Sequence, residues 1–376
     1  MSTQPTSILE SYLEDLASLV NFDCGTENPD GVTRAAGIMK EHFDSIGFKT
    51  EIIDFGPAVG NGLLATNKPG ASRYDVLLNA HLDTVFPDGT AATRPLTIKG
   101  DRAYGPGCAD CKGGVLAIYY ALKAARKEDL DRLSIAVAYN PDEETGSRHS
   151  QKWLSELSSK ADRVLIFEPA RANGELVRSR KGAARLKINF HGQSSHAGNA
   201  PYKGANANLA AIRFASAAAG LADVERGTTV NPGLIHGGEA ANIISSHCEV
   251  VLDLRYWNNV DWKLLTTEIE KLAQQTWAPR VTQEYVWLTN DPAMPYSESS
   301  KVLVDQVTEA ARLEGFEVKW LDVGGASDGN LMAEHGTLVV DGCGPAGGDY
   351  HSDKEFLRLD TVEERIRMVS RFLTLI

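Results

Sequence analysis

Short apolar runs alternate with amphipathic segments along the first half of the chain, and this alternation constrains the fold more than any other feature. GVTRAAGIMKEHFDSIG reads as a helix, FKTEIID as a strand and YDVLLNA as a buried strand. GGVLAIYYALKAARK is helical, LSIAVAYN a strand, SQKWLSELSSK a helix and RVLIF a strand. Buried strands separated by helices need crossover connections, so the expected core is α/β, with a mixed but largely parallel sheet covered by helices. Ahead of it, Ile8, Leu9, Tyr12, Leu13, Leu16, Leu19 and Val20 recur at helical spacing and predict an amphipathic helix over residues 6–20.

The pattern changes near Gly182. ARLKINFH, a small-residue helix at ANANLAAIRFASAAAGLA, GTTVNPGLIHGG, HCEVVLDLRYW, the helix DWKLLTTEIEKLAQQTW and RVTQEYVWL follow in the order β-α-β-β-α-β. That order is the ferredoxin-like unit. After DPAMP the α/β pattern resumes, with a helix around 298–314, strands at EVKWLDV and GTLVVDG, and a final helix over 361–374. A chain of 376 residues exceeds one ordinary core. The expected organisation is a domain made of 1–182 and 293–376, with 183–292 inserted as a lid or dimerisation domain.

Acidic residues outnumber basic ones by 50 to 38. That balance argues against nucleic acid and anionic membranes, which call for basic patches. No apolar run is long enough to span a bilayer, and the N-terminus lacks a basic region followed by a continuous apolar core. Five scattered cysteines suit a reducing compartment better than a disulfide framework. The expected location is cytoplasmic.

Ligands of open α/β sheets bind beyond the carboxyl ends of the strands. Here those ends lead into His81 and Asp83, into Glu143 and Glu144, into Glu168 and, through a glycine-rich loop, into His351; Asp110 stands in GPGCADCKGG just before a helix. Each has a bland reading: a solvated histidine, surface charge, a helix cap. Together they place two imidazoles and several carboxylates on one rim, a set that suits two zinc ions about 3.5–4 Å apart. Asp83 would orient His81, and whichever of Glu143 and Glu144 is not a ligand is free to take a proton from water. Cys108 and Cys111 form a lone C-x-x-C. A zinc ribbon needs a second such pair, so a redox site is the competing reading.

HLDTV, GDRAYGPGCADCKGG, NPDEETGS, FEP, GQSSHAG, GGASDGN and YHSDK, in this order, resemble the M20 group of co-catalytic zinc exopeptidases, from about residue 10 to the C-terminus. The resemblance implies a zinc-exopeptidase-type three-layer domain with an inserted ferredoxin-like α+β domain, two Zn2+ per subunit and a homodimer formed through the insert. It makes Asp110 the bridging ligand, with His81 and Glu168 on one ion and Glu144 and His351 on the other. Glu143 becomes the general base and Asp83 the orienting carboxylate, and His196, from the partner subunit, holds the scissile carbonyl. Asn242, Arg255, Gly324 and Gly325 line the substrate site, Arg255 through a bidentate contact with the substrate's terminal carboxylate. His149, His191, His236, His247 and His335 match no site of the family.

The resemblance further implies a cis Asp110–Cys111 peptide and makes the two cysteines incidental. The implied reaction is hydrolysis of the amide to a C-terminal amino acid, with glutamate first among the candidates. ARANGELVRSRKG lacks, near Glu175 and Val177, the lysine and serine that glutamate-specific members carry; Arg178, Arg180 or Lys181 are the available substitutes. An aminoacylase-type N-acyl-amino-acid hydrolase or a dipeptidase therefore stays open. A non-catalytic metal-binding protein and a C-x-x-C redox protein are the readings from other classes.

Overall fold

The strand Val76–His81 is buried at every position and lies inside a six-stranded sheet in the computed structural model, which describes residues 7–376. The sheet order is Lys49–Ile53, Gly62–Thr66, Ile135–Asn140, Val76–His81, Arg163–Ile166, Leu338–Val340. The last four run parallel. The first two add on antiparallel. Gly62–Thr66, which no sequence pattern singled out, is only five residues long and starts on a glycine; pairing with both neighbours makes it a strand.

His81 lies opposite Asn140 and Asn79 opposite Ile166 across the parallel pairs. Three strands thus end side by side, and the residues that follow them emerge on one rim. The helix Lys112–Ala124 is buried from Lys112 to Leu122 and packs against the same sheet. Its close approach depends on Gly114, where a Cβ would stand 2.0 Å from the Phe167 carbonyl oxygen. The helix Ile8–Val20 opens with a capping box between Ser7 and Glu10; residue 6 of the expected helix lies outside the described residues. Tyr12 ties this helix inward, its hydroxyl donating to the Gly113 carbonyl at 2.8 Å. Short strands Thr97–Lys99, Arg102–Tyr104, Phe356–Arg358, Gly344–Gly348 and Pro169–Ala170 form a second sheet that the periodicity did not reveal. At two to five residues they carry too little alternation to be read.

The chain divides into two units: one runs to Ser179 and includes Tyr296–Val323 and Ser327–Ile376, the other is Arg180–Pro295 with Gly324–Ala326. The second unit holds an antiparallel sheet in the order Thr229–Gly237, His247–Tyr256, Gly182–His191, Thr282–Asp291. Alternate residues of His247–Tyr256 are buried. They form a core with Phe190, Phe214 and Ile269 from the facing elements, including the helices Ala207–Ala219 and Asn259–Ala273. Gly324–Ala326 joins this unit, far from it in sequence, because Arg255 and Arg180 donate to the Gly324 and Gly325 carbonyls at 3.4 and 3.0 Å. Among the described residues no helix is long and apolar enough to cross a membrane.

On the first unit, Asp129 is buried and accepts from Arg126 Nε at 2.7 Å and Arg132 Nη2 at 3.0 Å. The Arg126 contact holds its carboxyl below the usual carboxylate range. A carboxyl lowered in the folded state stabilises above its unfolded pKa, and the contribution fades as pH falls through the folded value. Asp129→Asn is therefore expected to lower unfolding free energy by about 1 kcal/mol near pH 7, since both arginines are solvent-screened. The difference from wild type should shrink in denaturant titrations as pH falls through the lowered folded pKa of Asp129.

Candidate metal centre

His81 ends its strand with both ring nitrogens engaged. Nδ1 meets the Asp83 carbonyl oxygen at 3.0 Å and Asp83 Oδ1 at 3.2 Å. Two acceptors on that side place a proton on Nδ1, so Nε2, which donates to Asp110, is the nitrogen an ion would claim. There Nε2 lies 3.1 Å from Asp110 Oδ1 and 3.5 Å from Glu168 Oε1. The other oxygen of Asp110, Oδ2, is 3.3 Å from His351 Nε2, which is 3.2 Å from Glu144 Oε2. Asp110 thus faces two clusters at once, with one oxygen for each. His81, Asp110, Cys111 and Glu168 have donor atoms within 4.8 Å of one another, as do Asp110, Glu144 and His351.

Each side chain is placed by its backbone. Asp83 is fully buried and does more than hold His81: its carboxylate accepts from Thr26 Oγ1 at 2.6 Å and from the Glu143 and Glu144 amides at 3.2 and 3.3 Å. It therefore couples the end of one strand to the turn Glu143–Thr145 after its neighbour. Asp110 does not cap the following helix; Cys111 occupies the cap position without a side-chain hydrogen bond, and the Asp110–Cys111 peptide is cis. His351 is held in left-handed backbone at φ 58°.

The electrostatics call for cations. Burial pushes the Glu143 carboxyl well up, and Glu168, Asp328 and Glu144 push it further. Burial would also raise Asp110, but hydrogen bonds from His351 and His81 outweigh it and hold that group low. Asp110 and Glu144 raise His351 to about 10. Glu144 Oε1 is buried with no hydrogen-bond partner among the described residues. Four carboxylates around two imidazoles, with an orphaned oxygen among them, fit a pair of divalent ions with nitrogen and oxygen donors.

Glu355, a residue sequence reasoning passed over, is fully buried. Its Oε2 accepts from the Gly107 amide at 2.9 Å, and Oε1 from the Ala109 and Asp110 amides at 3.0 Å each. Burial lifts its carboxyl to about 7 against these three donors. The only cue in sequence is an acidic residue four places after His351. Asp328 was also missed; it accepts from Asn140 Nδ2 at 2.7 Å and from Ser147 Oγ, bracing the loop that carries Glu143.

The remaining predicted residues belong to the second unit. His196 sits in the short strand Ser195–His196, exposed, and its Nδ1 accepts from the Gly198 and Asn199 amides, both at 3.1 Å. The ring proton is thereby fixed on Nε2, which is left as a donor. Asn242 is exposed and its carbonyl accepts from the Ala197 amide at 2.9 Å, beside His196. Arg255 does not offer the expected open fork: Nε and Nη2 are held by Asp253 at 2.8 and 3.1 Å, leaving Nη1, which reaches the Gly324 carbonyl. Gly324 and Gly325 are exposed. Arg178 pairs with Asp322 at 3.1 and 3.2 Å, and Lys181 donates to the Gly227 carbonyl.

A family model, peptidase family M20/M25/M40, matches residues 77–375. Carboxypeptidase G2 of Pseudomonas sp. (strain RS-16) is 32% identical over 371 residues, 96% of this chain and 88% of that protein. Acetylornithine deacetylase of Pectobacterium carotovorum subsp. carotovorum (strain PC1) is 31% identical over 265 residues, 64% of this chain and 66% of that protein. The crystal structure of aminopeptidase PepT from Bacillus cereus ATCC 10987 shares the fold, with a TM-score of 0.79 at 21% identity over 97% of this chain and 98% of that one.

Replacing Glu355 by Gln keeps the volume and turns one acceptor oxygen into a donor facing N–H groups. Chelator competition is expected to show metal affinity lowered by about 10–100-fold, with the circular dichroism spectrum retained. A role in folding alone would lower thermal stability and leave metal affinity unchanged.

Proposed function

The chain belongs to peptidase family M20/M25/M40, and from that premise we propose that it is a two-zinc carboxypeptidase that hydrolyses the amide to a C-terminal amino acid, with glutamate preferred. The observation that carries this is the placement of Asp110, one oxygen toward His81 and Glu168 and the other toward His351 and Glu144. His81, Asp110 and Glu168 would hold one ion; Asp110, Glu144 and His351 the other. Bound zinc supplies Lewis acidity to the carbonyl and lowers the pKa of water at the site.

Glu143 takes the proton of the attacking water and delivers it to the departing nitrogen. Burial and its carboxylate neighbours raise its proton affinity toward the range in which a base can return what it takes. His196, with its proton on Nε2, donates to the carbonyl oxygen as negative charge develops there. Arg255 meets the terminal carboxylate through Nη1, with Asp253 and the Gly324 carbonyl fixing the guanidinium plane. Asn242, Gly324 and Gly325 complete the substrate site.

Glutamate as the preferred residue is supported by similarity to carboxypeptidase G2 along nearly the whole chain. A second reading, hydrolysis of other N-acyl amino acids, is favoured by one observation: Arg178, Arg180 and Lys181 all have partners within the protein. A panel of N-acyl amino acids and dipeptides, including a glutamate conjugate, assayed for amine release separates the two. Glu143→Ala is expected to keep bound zinc and lose kcat by about 10²–10⁴-fold; retained turnover would remove Glu143 from the role.

The partner is a second copy. Thr229–Gly237 is an edge strand that exposes Leu234 at 51% and Ile235 at 48%, and the helix Ala207–Ala219 exposes Leu209 at 39% and Ile212 at 58%. An apolar edge strand beside an apolar helix face suits two-fold pairing, in which the same patch covers itself. With His196 acting across the subunits, mixing inactive His196→Ala and Glu143→Ala proteins should restore part of the activity. Light scattering should give twice the chain mass, falling to one with Ile235→Lys.

A further inference from the structure

The two cysteines of GPGCADCKGG face different surroundings. Cys108 turns its sulfur to the Ala103 and Glu355 carbonyls, at 3.5 and 3.9 Å. Cys111 turns into the cluster of His81, Asp110 and Glu168, its sulfur within 4.8 Å of each of their donor atoms. It is fully buried, and its S–H donates to the Phe167 carbonyl at 3.0 Å. Cys24 points at the Leu82 carbonyl, and among the described residues Cys111 is the only cysteine in a group of metal-ligating side chains.

We propose that Cys111 is a sulfur ligand of the ion held by His81, Asp110 and Glu168, which makes this the softer of two metal positions. The inference rests on the two-metal reading of the site. A tetrahedral zinc ion with Zn–N and Zn–O near 2.0–2.2 Å and Zn–S near 2.3 Å sets its ligands about 3.3–3.8 Å apart. His81 Nε2 stands 3.1 Å from Asp110 and 3.5 Å from Glu168. The sulfur, within 4.8 Å of the same atoms, would move inward to join them as an added ligand, the ion keeping a position for water by expanding its shell. Binding exchanges the thiol proton for the ion, and the proton leaves to solvent; no oxidant takes part. The S–H···O contact given up is a weak one.

The consequence is an asymmetric pair. The His351 position has only nitrogen and oxygen donors, from Asp110, Glu144 and His351. The His81 position, with thiolate, imidazole and carboxylates, selects zinc, cadmium and cobalt over magnesium and manganese, and fills first.

X-ray absorption on the wild-type protein with one equivalent of zinc tests this without a variant: a sulfur scatterer near 2.3 Å is expected beside nitrogen and oxygen at about 2.0–2.1 Å. Cobalt(II) loading should add a thiolate-to-metal charge-transfer band in the near ultraviolet. Both signals should persist in Cys108→Ser and disappear in Cys111→Ser. Cadmium affinity should drop in Cys111→Ser by at least about tenfold, the least expected from loss of even an outer partner of a ligand. Zinc or cobalt bound stoichiometrically in a shell of nitrogen and oxygen alone would overturn the assignment and leave the two-metal centre standing. Failure to bind either metal would remove both.

Discussion

The candidate metal centre depends on one carboxylate, Asp110, presenting an oxygen to each of two imidazoles. A free aspartate would rotate and relax toward solvent. This one is held from behind, because Glu355 accepts from the amides of Gly107, Ala109 and Asp110 itself. A buried anion therefore positions a second buried anion, an arrangement that is costly without positive charge nearby. The same need recurs at Glu143, Glu144 and Glu168, and His81 and His351 offset part of it. Divalent ions would complete the balance, and that is why the cluster reads as a binding site rather than a polar core.

The donors reach one place because parallel strands end together. His81 ends one strand of the parallel set and the Glu143–Glu144 turn and Glu168 follow two others, while Asp110 arrives on the loop before a helix that Gly114 lets approach the Phe167 carbonyl. Asp83 then joins two of these ends through a single carboxylate. Geometry, burial and charge agree here, which is the usual mark of a built site. Electrostatics alone would not distinguish it from a structural ion-pair network.

The second unit contributes a different kind of control. Its sheet and helices bury their own core, and on that frame short loops fix the chemistry of exposed groups. Two backbone amides decide which nitrogen of His196 carries the proton. Asp253 decides which edge of Arg255 faces outward. Such exposed groups are held by local hydrogen bonds rather than by packing, so small changes in these loops would alter which of their atoms are presented to solvent.

The alternation of apolar runs and amphipathic helices determined the α/β class, the β-α-β-β-α-β insert and the polar residues at the strand ends, because periodicity and strand termini are local properties of sequence. Two-residue and three-residue strands such as Pro169–Ala170 and Phe356–Arg358 were not legible, since they exist only through their partners. Glu355 was not legible either: any acidic residue in a glycine-rich tail looks alike until three amides converge on it. The engaged fork of Arg255 and the inward sulfur of Cys111 were likewise decided by tertiary structure. Sequence names the side chains available to a site; which of their atoms face one another, and which are already occupied, is set by contacts between segments far apart along the chain.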